Sequence, residues 1–397
     1  MYDDPQTLMN IQNKAENIQL SEEKASPALI RERIENRLVR QAFTDIKNLD
    51  IMGNFGTHQA TAAAAAVVLD TMPDTKEMID WIFKNSSAGP GASFNPGGNV
   101  TAQIVNVVDR DGFGAESAPG YNSMWVAYPA KVADYLAGYQ GYEAADLYKD
   151  TKFLKMFKAQ IPLTLCRRAT AQIGDYGSTG GNGFAVGLDN LINGFMYSGD
   201  IELAQFIYLI NGNSVSGLHA NYMTKDPETI QEQIQNIINI YGEYDFDRSQ
   251  QLAGYGFSIL RDGTYIPTAD SAKALDTQRD FWLYWGGANS HKHSDVLNLG
   301  IEAYGFNMAP DLGYPEAADG AEKNSVWGQG TINHNTVMVN EERHNWLVSN
   351  NPAGTSERTN GNPLHFDDSG RVKVMDVDAP TLATKGTYAD PSGIFRR

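Results

Sequence analysis

The residue types best suited to chemistry gather late in the chain. Of the seven histidines, His58, His219, His291, His293, His334, His344 and His365, five follow residue 290, and His291-Lys292-His293-Ser294-Asp295 is the densest group. In an extended segment, side chains two apart project to one face, so His291, His293 and Asp295 can converge. Asp311, in Ala-Pro-Asp-Leu-Gly, and His334, in Asn-His-Asn-Thr-Val, follow near expected strand ends. Two imidazoles and a carboxylate form a ligand set for Zn²⁺ that leaves one position open. Spacing alone leaves Asp295 and Asp311 both eligible as the carboxylate. Taken by itself, a His-x-His is as well explained by hydrogen bonding within a sheet.

Two other metal chemistries compete. A His-x-His-x-Asp-His hydrolase motif is broken by Val296, which stands where the last histidine belongs. An iron(II) facial triad of His293, Asp295 and His334, with Arg343 as an oxo-acid anchor, fits the ligand types. It leaves His291 and the first half of the chain without a part.

Earlier in the chain, Gly53-Asn54-Phe55-Gly56-Thr57-His58-Gln59 precedes an alanine-rich run. Polar groups at a helix start can help to bind an anion, although an N-cap made by Asn54 or Thr57 is the simpler expectation. Asp111-Gly-Phe-Gly-Ala-Glu116-Ser-Ala-Pro-Gly-Tyr121-Asn122 is a glycine-rich loop that delivers a tyrosine to a helix start. A core tyrosine is the plain alternative. His219, His344 and His365 are expected at the surface. Trp125, Trp282, Trp285, Trp327 and Trp346 are expected mostly in cores, with sugar stacking as their other use.

These groups need elements to hold them. Up to residue 241 the pattern is helical: 28–48, 60–71, 123–139, 153–168, 183–198, 201–209 and 227–240. Glycine-rich connections at 89–98, 111–120 and 174–183 are long enough to suggest function. From Gly254 short β-type runs take over, at 255–261, 281–285, 296–304, 335–340 and 371–377. Helices first and strands second mean α+β or separate domains, with a boundary near residue 245.

The chain has 397 residues, enough for two or three domains, and 42% hydrophobic content supports a sizeable core. Its 31 basic and 48 acidic residues give a net charge of −17, which argues against generic nucleic-acid binding. A local basic groove for an anionic substrate stays possible. The single cysteine, Cys166, excludes an internal disulfide and a cysteine zinc cluster. No leader with basic and apolar regions opens the chain, and no run of 18 apolar residues suggests membrane insertion. The last residues lack a closing strand pattern, so truncation is expected at the C-terminus and also at the N-terminus.

The segments 53–59, 111–122, 254–263, 291–313 and 333–340, in that order, resemble the heparinase II/III-like polysaccharide lyases. The most specific signature is His291-x-His-x-Asp-x-Leu-x-Leu, then Gly305, Asp311-x-Gly313 and His334-Asn-Thr-Val. The resemblance spans roughly residues 40–397. It implies an α+β multidomain fold: an incomplete (α/α) toroid over 1–245, followed by an antiparallel β-sandwich over 246–397, itself incomplete, with a sugar cleft between them. Relatives of this kind are usually secreted or periplasmic.

The implied reaction is β-elimination across a uronic acid of an anionic polysaccharide. A base takes the C5 proton, the leaving oxygen departs from C4, and a 4,5-unsaturated uronate remains. The substrate carboxylate is already negative, so its developing enolate-like charge must be stabilised. By resemblance, Asn54 binds that carboxylate and Tyr121 protonates the leaving oxygen, with a possible share in taking the C5 proton. His291 is the imidazole base or the partner that adjusts Tyr121, whose ordinary pKa of about 10 needs such help. The resemblance makes His293, Asp311 and His334 the ligands of a structural or orienting Zn²⁺, and so selects Asp311 over Asp295. Phe55 stands where several relatives have a histidine, and His58 is its possible substitute. Glu116, Asn122 and Arg261 are expected to line the substrate. Competing readings are a non-catalytic glycan-binding protein of the same fold and a toroid glycoside hydrolase, which would need a carboxylate pair. The particular polysaccharide, endo or exo action and the oligomeric state are not encoded in these features.

Overall fold

The computed structural model describes residues 4–19, 26–51, 53–84, 97–140, 145–178, 183–218, 226–263, 277–287, 290–314, 327–338, 341, 343–344 and 361–379. Two compact units emerge, residues 1–103 with 128–147, and residues 104–127 with 148–397. The change from helices to strands falls where the sequence changes character, after residue 241, whereas the compact units divide at other points.

The first unit is helical. Helix α1 (Pro5–Asn17) starts with Asp4, whose carboxylate accepts the Thr7 N–H at 2.7 Å. Helix α2 (Pro27–Ile34) starts with Ser26 in the same role, a side-chain oxygen ahead of a proline that needs no N–H partner. A π-helical turn over Glu35–Arg40 leads into α3 (Gln41–Asn48). Helix α4 (Thr57–Leu69) is apolar nearly all round and packs on α5 (Asp74–Phe83). The N-cap of α4 is neither Asn54 nor Thr57. Gly56 takes the position at φ +87°, and Gln59 reaches back to accept its N–H at 2.9 Å. A side chain at position 56 would run into Tyr128 and Pro129, so glycine is required by space as well as by φ. Helices α6 (Val100–Asn106) and α7 (Pro119–Leu136) each contribute residues to both units.

In the second unit the expected helix over 153–168 is shorter. The spacing of Phe153, Phe157, Ile161 and Leu165 imitates a helical stripe, yet α8 (Thr151–Met156) ends early. Pro162 lies in a 3₁₀ turn over Ile161–Leu163. Cys166 and Arg167 then adopt positive φ in the turn of a small hairpin, β1 (Thr164–Leu165) with β2 (Ala169–Thr170). Helices α9 (Leu188–Ser198), α10 (Ile201–Ile210) and α11 (Pro227–Tyr241) follow, the last two capped by Asp200 and Asp226.

Five strands form one antiparallel meander in chain order: β3 (Gln250–Leu252), β4 (Phe257–Asp262), β5 (Arg279–Tyr284), β6 (Asn298–Ala303) and β7 (Phe306–Asn307). Alternation divides its residues between two cores. Phe257, Ile259, Trp282 and Tyr284 pack with Phe113, Leu163 and Ile173. Leu283, on the opposite face of β5, packs with Trp285, Val296, Leu297 and Val377. Val377 comes from the hairpin β8 (Asn362–Asp367) with β9 (Val374–Asp378). The strand expected over 335–340 does not form in its described part, where Asn335–Met338 is irregular. Among the described residues, no helix is long and apolar enough to cross a membrane.

Candidate functional site

Tyr121 reaches its place through a loop pinned by carboxylates. One oxygen of Asp109 accepts the N–H groups of Asp111, Gly112 and Phe113 at 2.8, 2.8 and 3.0 Å. Burial and the Asp111 carboxylate outweigh those bonds and push the Asp109 carboxyl up to about 7. Asp111 in turn accepts the N–H groups of Gly254 and Tyr255 at the entrance to β4. Asn122, in the first turn of α7, accepts the Gly114 N–H at 2.9 Å and donates to the Glu116 carbonyl. Ser117 ties the loop to the sheet segment: its N–H donates to the Ser290 carbonyl, and the Tyr284 hydroxyl donates to its Oγ at 2.8 Å.

This framework sets Tyr121 against His291. The two rings stack with centroids 3.4 Å apart and planes 9° from parallel. Glu116 Oε2 lies 2.7 Å from His291 Nδ1, and Ser290 Oγ lies 3.0 Å from the same nitrogen. An imidazole that donates from Nδ1 to a carboxylate keeps its Nε2 lone pair free. Burial holds the Tyr121 phenol above its ordinary pKa, with further upward pushes from Tyr314, Asp175 and Glu116.

The extended-strand expectation for His291, His293 and Asp295 fails, and the backbone shows why. His291 sits at φ +49°, in the left-handed region, so its side chain does not share the direction of His293. Its carbonyl oxygen lies where Gly174 would carry a Cβ, and it accepts the Asp175 N–H at 3.2 Å. His291 thus turns to Glu116 and Tyr121, while His293 turns into the interior.

There His293 meets Asp311 and His334. All three are buried, and one ligand atom from each lies within 4.8 Å of the others. The His334 Nδ1 is 2.8 Å from Asp311 Oδ2, which also accepts from Asn298 Nδ2 at 2.9 Å, while Asp311 Oδ1 accepts the Gly313 N–H at 2.8 Å. Burial alone would raise the Asp311 carboxyl, but the hydrogen bond and charge of His334, with Gly313 and His293, hold it below its ordinary value. His293 Nε2 lies 2.9 Å from Asp175 Oδ1. His293 Nδ1 and His334 Nε2 are buried without a hydrogen-bond partner. Buried nitrogens of that kind are costly to leave unpaired, and two imidazoles with a carboxylate are donor types that suit a metal ion. The group can therefore hold a metal. Asp295 is fully buried nearby with Oδ2 unpartnered, its carboxyl raised by burial, and it stands outside the converging trio.

Other expected site residues take different parts. Arg261 is 1% exposed and donates to the carbonyls of Phe246, Pro162 and Thr164 at 2.8–3.1 Å, so it holds the sheet to its surroundings and lines no surface. Asn122 is likewise buried, with both ends of its amide engaged in the loop. Glu116 is a partner of His291. In the first unit, Asn54 is exposed just ahead of α4, and His58 is buried in its first turn beneath Gly53. His344, expected at the surface, is buried with Nε2 2.6 Å from the Val337 carbonyl, and burial lowers its pKa to about 4. His365 is exposed, and His219 and Trp346 lie outside the described residues. Trp125, Trp282 and Trp285 are core residues, whereas Trp327 is exposed. Asp175 was not anticipated; only its place in a long glycine-rich connection marked it.

Residues 250–390 match the protein family described as heparinase II/III-like, C-terminal. No curated protein matches the chain in sequence. Among solved structures, a heparinase III gene product with methylated lysines is similar at a TM-score of 0.58 and 14% identity, over 94% of this chain and 48% of that one. A crystal structure of heparinase III gives 0.55 and 12%, over 92% and 50%. The heparan sulfate lyase HepC of Pedobacter heparinus gives 0.52 and 15%, over 90% and 46%. At such identities the likeness is one of fold, and the chain spans about half the length of the structures it matches.

Proposed function

With residues 250–390 a heparinase II/III-like C-terminal domain, we propose that the chain is the corresponding part of a polysaccharide lyase. Its reaction is β-elimination at a uronic acid, leaving a 4,5-unsaturated uronate. The observation that carries this reading is the Tyr121–His291 stack with Glu116 on His291 Nδ1. A face-to-face stack does not align an O–H···N bond, which favours two separate proton-transfer groups over a tyrosine adjusted by its histidine. The raised pKa of Tyr121 keeps its phenol protonated at neutrality, suiting proton donation to the leaving oxygen. His291, with Glu116 fixing its Nδ1–H, offers Nε2 to the C5 proton. The role of Asn54 toward the uronate carboxylate rests on the family's motif alone, and His58, outside that motif, stands as the substitute for the histidine that Phe55 replaces.

The buried His293–Asp311–His334 group supports a Zn²⁺ ligand set of two imidazoles and a carboxylate. When bound, the ion would organise the segments around residues 293, 311 and 334. The helical part is read as an incomplete (α/α) toroid and the strands as part of an antiparallel β-sandwich. An anionic polysaccharide substrate and a secreted or periplasmic setting go with this reading. The test is the ultraviolet absorbance of the unsaturated uronate when purified protein meets a panel of uronic-acid polysaccharides. A rise on one polymer supports elimination and names the substrate class. No rise on any of them, with Zn²⁺ bound, turns the reading toward glycan binding without turnover.

A further inference from the structure

Asp175 belongs to none of the segments that carry the family signature, yet it touches both histidines of His291-x-His293. Its N–H donates to the His291 carbonyl at 3.2 Å, and its Oδ1 lies 2.9 Å from His293 Nε2. The Asp175 carboxylate is 8% exposed and the His293 side chain fully buried, so the contact is sealed from water. A carboxylate only accepts, so the proton between them sits on Nε2. That leaves Nδ1 of His293 as the lone-pair nitrogen, and it is this nitrogen that is buried without a partner.

The rest of the short segment 174–178 keeps Asp175 in register. A Cβ on Gly174 would strike the His291 carbonyl oxygen, so the chain can pass there only as glycine, at φ +55°. Tyr176 lies against Gly120, next to Tyr121, where a Cβ would come within 2.8 Å of its ring. Ser178 bridges to Gly313, two residues beyond Asp311, and the Tyr314 N–H donates to the Gly177 carbonyl at 2.8 Å. One strap therefore braces the His291–His293 turn at one end and the Asp311 turn at the other.

We infer that Asp175 is a positioning residue for a divalent metal at His293, Asp311 and His334, holding the His293 ring with Nδ1 turned to the ion. A carboxylate behind a ligand histidine fixes its tautomer and raises its basicity, and losing one typically costs about 10–100-fold in metal affinity. The inference rests on the metal reading of the trio, and calorimetric titration of the metal-free full-length chain with Zn²⁺ separates the two. Asp175→Ala is expected to bind Zn²⁺ about 10–100-fold more weakly than the parent. Asp175→Asn, which keeps an acceptor oxygen but not the charge, should fall between them. A parent that binds no Zn²⁺ removes the metal reading and this inference together. A parent that binds, with Asp175→Ala binding equally well, overturns the role of Asp175 alone. Nitrogen-15 spectra of the histidines in the unmodified metal-free chain decide the matter should the variants not fold. An Nε2–H tautomer at His293 supports the assignment, and an Nδ1–H tautomer overturns it.

Discussion

His291 and His293 stand two residues apart and have almost nothing else in common. The His291 side chain is 31% exposed, stacked on an aromatic ring and held at one nitrogen by Glu116. The side chain of His293 is fully buried, held at one nitrogen by Asp175, with its other nitrogen buried without a partner, and it groups with a second imidazole and a carboxylate. Both rings are anchored by a carboxylate, so the anchor does not distinguish them. Access to water does. An open imidazole with a free nitrogen can exchange protons with a substrate, whereas a sealed one is suited to hold an ion that must not leave. A single left-handed residue, His291 at φ +49°, separates the two environments over so short a distance.

The largest effect expected on the open side is that of Tyr121→Phe. It removes the proton donor while keeping the stack, and turnover should fall about 10²–10⁴-fold with polysaccharide binding retained. Unsaturated-uronate absorbance measures the first and equilibrium binding the second; unchanged turnover would refute the acid role of Tyr121. On the sealed side, chelation or His334→Ala should abolish stoichiometric Zn²⁺ and lower stability. With free Zn²⁺ a thousandfold above Kd the loss is about 4 kcal/mol. Denaturant melts with and without chelator would read it, and coincident curves would break the contrast between the two histidines.

The loop beneath Tyr121 gives a pH signature of its own. Asp109 has its folded pKa raised from 3.8 to about 7, so the folded chain keeps a proton that the unfolded chain has already released. Stability from this group is therefore greatest at the acid end and falls as pH rises from about 4 to about 7. Between pH 5 and 8 the fall should be roughly 3 kcal/mol, and Asp109→Asn should flatten it. Melting curves across that range check the slope, and an unchanged slope in the variant would place its origin elsewhere. The smallest effect is expected from Glu116→Gln, which keeps an acceptor for His291 but removes the charge. Turnover should drop about tenfold, equivalent to about 1.4 kcal/mol, with little change in melting temperature.

Much of this was legible in the residues. Ser26-Pro27 and Asp226-Pro227 announce their helices because a side-chain oxygen and a proline meet the needs of a helix start. The short runs of β-branched and aromatic residues around Phe257 and Trp282 announce strands for an equally local reason. The choice of His293, Asp311 and His334 followed from the family resemblance, and the three do converge into a buried group that could hold a metal. What escaped depended on distant partners or on a single dihedral. Arg261 and Asn122 look like substrate contacts in sequence because polar residues beside glycines often are. The Arg261 donors instead serve carbonyls that only the folded chain brings near, and the amide of Asn122 is taken up by its own loop. The apolar spacing through Phe153 and Leu165 was periodic and still misled, since Pro162 and the positive φ of Cys166 overrode it. Asp175 carried no signal beyond its glycine neighbours, and its importance comes from a partner 118 positions away.

The meander has a consequence for the order in which the molecule assembles. Each of its five strands pairs with the next in the chain, so its loops close over short separations and the sheet can form early. His293, Asp311 and His334 lie within or just after that stretch. Glu116 and Asp175, by contrast, must travel in from 175 and 118 positions away. We expect refolding chains to gain the ability to capture an ion before Tyr121 and His291 meet. The ion would then act as an early fastening, and stopped-flow refolding with and without Zn²⁺ would show whether the tyrosine–histidine pair arrives sooner when it is present.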